Sequence, residues 1–371
     1  MLQNKIYQNY LIEIFKTFFV ILMGLSLIAL TVRAVSFLEL IVDSGYLLST
    51  YFKFSLLNVL GLIPKFIPLS FLISLIFFVI KHKQDSEFVI LWTSGVKKIS
   101  LINLLVLSSF LIVIFHLIAS TFITPYSLNK ARKIVNKNEV SSFLPTLRVK
   151  QFSDSFVGLT VLVEEKIGNK LKNIFLHDRG GNLKGISSNV AESQNITITA
   201  SSGIIDQNKI IFIDGQIITE KSQDQKNDLL KFDQLNISLN DLHTRTIKKP
   251  KIQETSTIDL INCLIGVDLN KNFCNENFKK EIIPNLNRRI VMPFYIPVIT
   301  LVCCLLLLKT EKKYLGKYII FCYSLLILVF SELFIRYTGI NLSSRIIFLT
   351  LPLALFLFLY SFIFLKLNNE K

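Results

Sequence analysis

Hydrophobic positions are spread unevenly along this chain. Six apolar runs are long enough, at about 20 residues, to cross a hydrocarbon core as helices. They lie near Leu11–Arg33, Phe54–Ile80, Ile99–Ile123, Ile290–Leu308, Tyr318–Arg336 and Ile346–Leu365. Between the third and fourth runs the pattern changes. From Leu147 to Leu239, short β-type stretches recur at Phe156–Val163, Leu171–His177, Asn195–Thr199, Lys209–Ile213 and Leu229–Leu239. Turn clusters such as Arg179-Gly180-Gly181-Asn182 and Ser201-Ser202-Gly203 separate them, a rhythm that predicts an all-β sandwich or barrel. Asn240–Pro284 is polar and irregular, carries Lys248-Lys249-Pro250-Lys251, and reads as a return segment with a short helix at Ile258–Leu264. The expected fold class is an integral membrane α-helical protein of six transmembrane helices with an inserted all-β domain. Its parts are residues 1–123, 124–289 and 290–371. The first run contains Glu13 and Lys16, lacks an A-x-A cleavage pattern and is too long for a cleaved signal peptide, so it is read as a helix that stays.

Composition agrees with this division. Of 371 residues, 51% are apolar and 18% charged, and the mean hydropathy is +0.52, which argues against a wholly soluble enzyme. The net charge is +15, and 24 of the 41 Lys and Arg fall in 124–289, so the spans are nearly free of charge. No basic stripe interleaved with aromatics occurs, so the positive balance points to anionic lipid rather than nucleic acid. Lys5, then Lys81, Lys83, Lys97 and Lys98, then Lys309, Lys312, Lys313 and Lys317, then Lys366 and Lys371 all fall on one side of a six-span chain. That side is read as the cytoplasm, with both termini, and the β-domain lies outside.

Chemistry-bearing motifs are scarce. The chain has no Walker A pattern, no H-E-x-x-H and no G-x-S-x-G. His82, His116, His177 and His243 are scattered, and the five cysteines form no CxxC pair. No catalytic residue, cofactor or metal is expected, and an energised machine built on this chain needs its ATPase on another subunit. Cys263 and Cys274 lie outside; a disulfide fits an oxidising compartment, and two free thiols in an irregular segment are the preferred reading. Cys303, Cys304 and Cys322 read as small apolar residues within spans.

Between the second and third spans, Gln84–Lys98 reads as a short capped helix. Asp85 or Ser86 caps it, Glu87 suits its first turn, and Gly95 ends it in the left-handed conformation. Phe88, Leu91 and Trp92 share one apolar face, which either lies on lipid or docks into a groove on a soluble partner.

Taken in order, these features resemble the LptF/LptG permease family of the lipopolysaccharide export transporter. The resemblance rests on three helices, a β-domain and three helices; on Asp85-Ser86-Glu87 with Gly95 eight residues after the Glu; on Gly158–Glu164 followed by Ile174–Asp178; and on Leu286-Asn287-Arg288-Arg289-Ile290. The stretch Val32–Gly45 is more similar to the LptF branch. Trp92 is bulkier than the family pattern leads one to expect. The resemblance implies a periplasmic β-jellyroll, a bacterial inner-membrane location and a heterodimer with an LptG-like paralogue. It also implies an LptB ATPase dimer, and delivery of lipopolysaccharide to LptC and the periplasmic bridge. On this reading Asp85, Ser86, Glu87, Phe88, Leu91 and Gly95 form the ATPase-coupling helix, with Glu87 as its acid. Phe156, Leu159, Val161, Val163 and Phe175 are candidate jellyroll linings.

Cations near the outer rim form a second candidate site. They are Arg33, Lys53, Lys65, Arg289, Arg336 and Arg345. Lys65 lies roughly 18 Å deeper than Lys53 at 1.5 Å per residue. Charges within a span usually face a cavity or a partner, and a phosphorylated lipid needs such donors. Snorkelling to headgroups is the competing role. Glu332 and Arg336, one turn apart, are expected to pair. Two other functions remain open from sequence. One is a membrane enzyme acting on a lipid-linked sugar, for which no acid, base or metal set is found. The other is a membrane-anchored assembly or sensor protein whose β-domain binds a partner.

Overall fold

A computed structural model describes residues 2–38, 41, 47–147, 149–156, 158–179, 183, 193–206, 209–221, 227–238, 251–266, 276–308 and 315–369. Cys274, Lys248–Pro250, Gly180–Asn182, most of Leu38–Gly45 and the loop lysines Lys309, Lys312 and Lys313 lie outside them. The helices are α1 (Leu2–Ser36), α2 (Leu48–Leu60), α3 (Ile63–Gln84), α4 (Glu87–Thr93), α5 (Lys98–Ile118), α6 (Thr124–Thr146), α7 (Thr257–Ile265), α8 (Glu276–Ile290), α9 (Tyr295–Cys304), α10 (Leu315–Ile335) and α11 (Leu342–Asn369). Among the described residues, six helical stretches are long and apolar enough to cross a membrane: Lys5–Ser36, Ile63–Gln84, Lys98–Val135, Lys280–Leu307, Tyr318–Gly339 and Leu342–Asn368. They match the six apolar runs, with the second starting later than expected because α2 breaks off at Gly61.

The chain divides into two compact units, residues 1–32, 57–129 and 251–371 in one, and 33–56 and 130–250 in the other. In the first unit α9 is buried along its whole length and packs against α3, α5, α10 and α11. Its core joins Ile14 and Phe18 of α1 to Phe71, Leu75 and Phe78 of α3, to Leu101 and Leu105 of α5, and to Leu301 of α9. By contrast the first and last spans bury little of themselves within the chain.

The third span carries a π-helical turn, Ala119–Ile123, just before Pro125. Proline has no N–H and its ring collides with the carbonyl four residues earlier. The widened turn relieves that collision. The carbonyl of Thr121, left without its helical donor, accepts the Thr257 hydroxyl at 2.9 Å.

In the second unit, β1 (Ser153–Phe156), β2 (Leu159–Ile167), β3 (Lys170–Asp178), β4 (Ser193–Asp206), β5 (Lys209–Lys221) and β6 (Asn227–Ser238) form one antiparallel sheet with neighbours in chain order. Leu159, Val161 and Val163 pack with Leu171, Ile174, Leu176, Ile198 and Phe212 on one face. Two sequence expectations change here. Ser201–Gly203 is not a turn but the middle of β4, with Ser202 opposite Ile213 and Gly203 opposite Phe212. A Cβ at Gly203 would collide with the Ile174 side chain, so the glycine is there for close packing. Phe175 does not join the buried face. It pairs with Leu162 while Leu176 pairs with Val161, and strand alternation puts it on the opposite side. The side chain of Phe156 lies outside the described set. Cys263 is disulfide-bonded, contrary to the preferred reading of free thiols. Ordering this segment against Ile252, Ile282 and Leu286 removes the irregularity on which that reading rested.

Candidate functional site

The short helix α4 forms where expected, with different capping. Ser86 sits at its N-cap in the left-handed region (φ 58°) and makes no side-chain cap bond. At the other end Gly95 has φ 92°, a conformation that favours glycine. The Gly95 N–H bonds Trp92 O and the Val96 N–H bonds Leu91 O, a Schellman closure with Val96 and Leu91 both buried. Phe88 and Leu91 turn inward and are almost fully buried. The apolar face anticipated for docking is therefore spent on the bundle, where His82 stacks on Phe88 and Phe78 meets it edge-on. Val89 and Ile90 are the exposed apolar pair. Glu87 is half-exposed and lies 3.3 Å from His82 Nε2. Asp85 is exposed.

A second feature is a cavity of about 520 Å³ in the helical unit. Leu325, Leu328, Val329, Leu333 and Met292 give it an apolar wall, and Lys65, His116, Arg288, Arg289 and Glu332 supply polar groups. Glu332 pairs with Arg288 at 2.6 Å rather than with Arg336, because Arg336 has left the α-helix for a 3₁₀ turn. Arg288 Nε and His116 Nδ1 are buried and make no hydrogen bond among the described residues. Buried polar atoms are rarely left so, and both line the cavity.

Arg289 reaches the cavity wall but its guanidinium is committed elsewhere. One terminal nitrogen donates to Thr255 O (3.1 Å) and Thr257 Oγ1 (2.9 Å), and the other to Ile252 O (3.2 Å) and Gln253 O (3.1 Å). Its own carbonyl accepts the Ser120 hydroxyl at 2.8 Å. Thr257 passes the contact on to Thr121 O. The result is a latch joining the π turn of the third span, the return segment and the entry to the fourth span. No anion is needed to explain this cation. Sequence reading missed Thr255 and Thr257 because carbonyl and hydroxyl acceptors leave no charge pattern.

The other candidates are dispersed. Lys65 lies on the cavity lining, whereas Arg336 and Arg345 sit at the turn joining α10 to α11, where Arg345 Nε donates to Thr338 O at 3.4 Å. Arg33 and Lys53 belong to the other compact unit. Arg288 and His116, the cavity's open donor and ring nitrogen, were not singled out from sequence. Among the described residues no cluster of His, Cys, Asp and Glu is arranged to hold a metal. A family model described as "Lipopolysaccharide export system permease LptF/LptG" matches residues 10–366. A comparison with curated proteins finds no match.

Proposed function

We propose a function from one premise: the chain belongs to the LptF/LptG family of lipopolysaccharide export permeases. It acts as one permease subunit of an ABC transporter in the bacterial inner membrane, with the LptF branch as its closer kin. An LptG-like paralogue completes the heterodimer, an LptB dimer hydrolyses ATP on the cytoplasmic side, and LptC and the bridge proteins receive the lipid. The termini and α4 are cytoplasmic and the β-domain is a periplasmic jellyroll lined by Leu159, Val161 and Val163. A disulfide-bonded Cys263 supports an oxidising compartment for the return segment.

The observation that carries this reading is α4 itself, a rigidly closed helix between two spans that keeps Val89 and Ile90 exposed while its other face is anchored in the bundle. An exposed apolar pair on an anchored helix fits a groove on a cytoplasmic partner and transmits its motion. Docking by Val89 and Ile90, with Glu87 beside them, replaces the face of Phe88 and Leu91. For lipid phosphate, Lys65 and Arg288 are the favoured donors from the cavity, with Arg33 at the end of α1 as a further candidate.

The test is purification of the intact complex. A co-purifying ATPase and bound lipopolysaccharide are expected. A stable chain that retains neither would overturn the assignment in favour of a membrane-anchored assembly protein.

A further inference from the structure

The cavity of the helical unit holds a group at odds with a phosphate site. Glu332 of α10 lines it together with Lys65 of α3 and Arg288 of α8. Its Oε1 meets Arg288 Nη2 at 2.6 Å. A carboxylate repels an anionic headgroup, and this one already occupies a donor that the proposed function assigns to the lipid.

The pair is also incomplete. Nε and Nη2 lie on one edge of a guanidinium, a fork that matches two oxygens of a carboxylate or phosphate side by side. Glu332 meets Nη2, while Arg288 Nε is buried and makes no hydrogen bond among the described residues. His116 Nδ1, on the same lining, is in the same condition. Buried polar atoms are seldom left so, and two of them around one cavity point to a ligand with polar atoms of its own. Neither partner of the ion pair is sealed in: the Arg288 side chain is 30% exposed and that of Glu332 49%. An ion pair this open holds its geometry weakly, so a stronger anion can take its place.

What counts as stronger follows from charge. The phosphodiester of a glycerophospholipid carries one negative charge, as the carboxylate does. Its entry exchanges one single charge for another and leaves Glu332 unpaired beside an anion. A phosphomonoester carries about −1.5 to −2 near neutral pH and has three strong acceptor oxygens. It offers oxygens to Nε and Nη2 together and leaves another for a further donor on the lining. The apolar wall of Leu325, Leu328, Val329 and Leu333 suits the acyl part of the same molecule.

We propose that Glu332 is a specificity-determining residue: an internal competitor that holds Arg288 against singly charged phosphodiester lipids and yields it to a lipid phosphomonoester. The proposal rests on the reading of this cavity as a phosphate site given above. Discrimination of this kind uses a repulsive element as well as an attractive one. The same competition lowers affinity for the favoured lipid, which must first displace the carboxylate.

Lipid binding to the purified full-length complex in detergent tests this, with bisphosphorylated lipid A and phosphatidylglycerol as probes and thermal unfolding measured in parallel. The unmodified complex should prefer lipid A. Glu332→Gln should raise phosphatidylglycerol binding about 5- to 10-fold, the scale of one charged contact in a half-exposed site, and lipid A binding by less, so that the preference falls. Glu332→Ala should shift the preference the same way and serves if Glu332→Gln does not fold. In an Arg288→Gln background the effect should shrink, because no guanidinium remains to be released; an undiminished effect would mean simple repulsion and overturn the competition. Inorganic phosphate should not displace lipid A, since nothing in it fills the apolar wall, and displacement by it would overturn the lipid assignment. If Arg288→Gln weakens lipid A binding but Glu332→Gln leaves the preference unchanged or weakens both lipids, the competitor role alone fails. If Arg288→Gln and Lys65→Ala both bind lipid A like the unmodified complex, the cavity is not a phosphate site and the competitor role falls with that reading.

Discussion

Arg289 and Lys65 are both cations near the ends of spans, and the structure separates their roles. Arg289 is buried and holds four acceptors on residues 252–257. Removing it leaves several buried carbonyls without donors, so Arg289→Ala should destabilise the protein by about 3 kcal/mol or more. Arg289→Lys should not rescue it, because one ammonium cannot reproduce a planar fork spanning four acceptors. Thermal unfolding of the purified protein reads both. Lys65→Ala should instead leave unfolding nearly unchanged and weaken lipid binding by about 10- to 100-fold at most. Lipopolysaccharide bound per complex measures that, and an unchanged value would leave Lys65 a snorkelling residue. From sequence these two were indistinguishable, since a cation in a span reads only as a residue seeking some partner. Which partner depends on backbone carbonyls more than thirty positions away, and hydrophobic periodicity carries no information about them.

At the level of elements, α4 is legible in the chain while its orientation is not. The glycine that closes it, the acid in its first turn and its length all follow from local chemistry. Phe88, Leu91 and Trp92 mark an apolar face, but spacing does not say whether such a face turns toward partner or core. The structure turns it toward the core, and this gives opposite expectations for neighbouring positions. Phe88→Ala should destabilise the bundle by about 3–5 kcal/mol through a cavity. Ile90→Asp should leave stability within about 0.5 kcal/mol yet reduce co-purification of the ATPase. Equal loss of ATPase from both variants, at equal thermal stability, would contradict the assigned faces. The sheet repeats the lesson. Alternating residues located most strands, whereas Ser201–Gly203 carried turn composition into a strand centre, since Gly203 answers to the Ile174 side chain across the sheet. Gly203→Val should therefore lower the stability of the β-domain, read by its proteolysis in the intact protein.

For the whole molecule, apolar run length found all six spans, because hydrocarbon thickness leaves little freedom in how a helix crosses it. Reporters fused after Lys83 should lie in the cytoplasm and those near Asn208 outside; Asn208 in the cytoplasm would refute the exporter topology. The central position of α9 has a consequence for how the protein is made. The helix that fills the middle of the bundle belongs to the fourth span to be synthesised, and the entire sheet segment precedes it. Through that interval the first three spans must lodge in the bilayer with the surfaces meant for α9, on α3 and α5, covered by lipid alone. A nascent chain stalled before Tyr295 would thus be a half-assembled bundle, and the stage at which biogenesis factors and membrane proteases would compete for it.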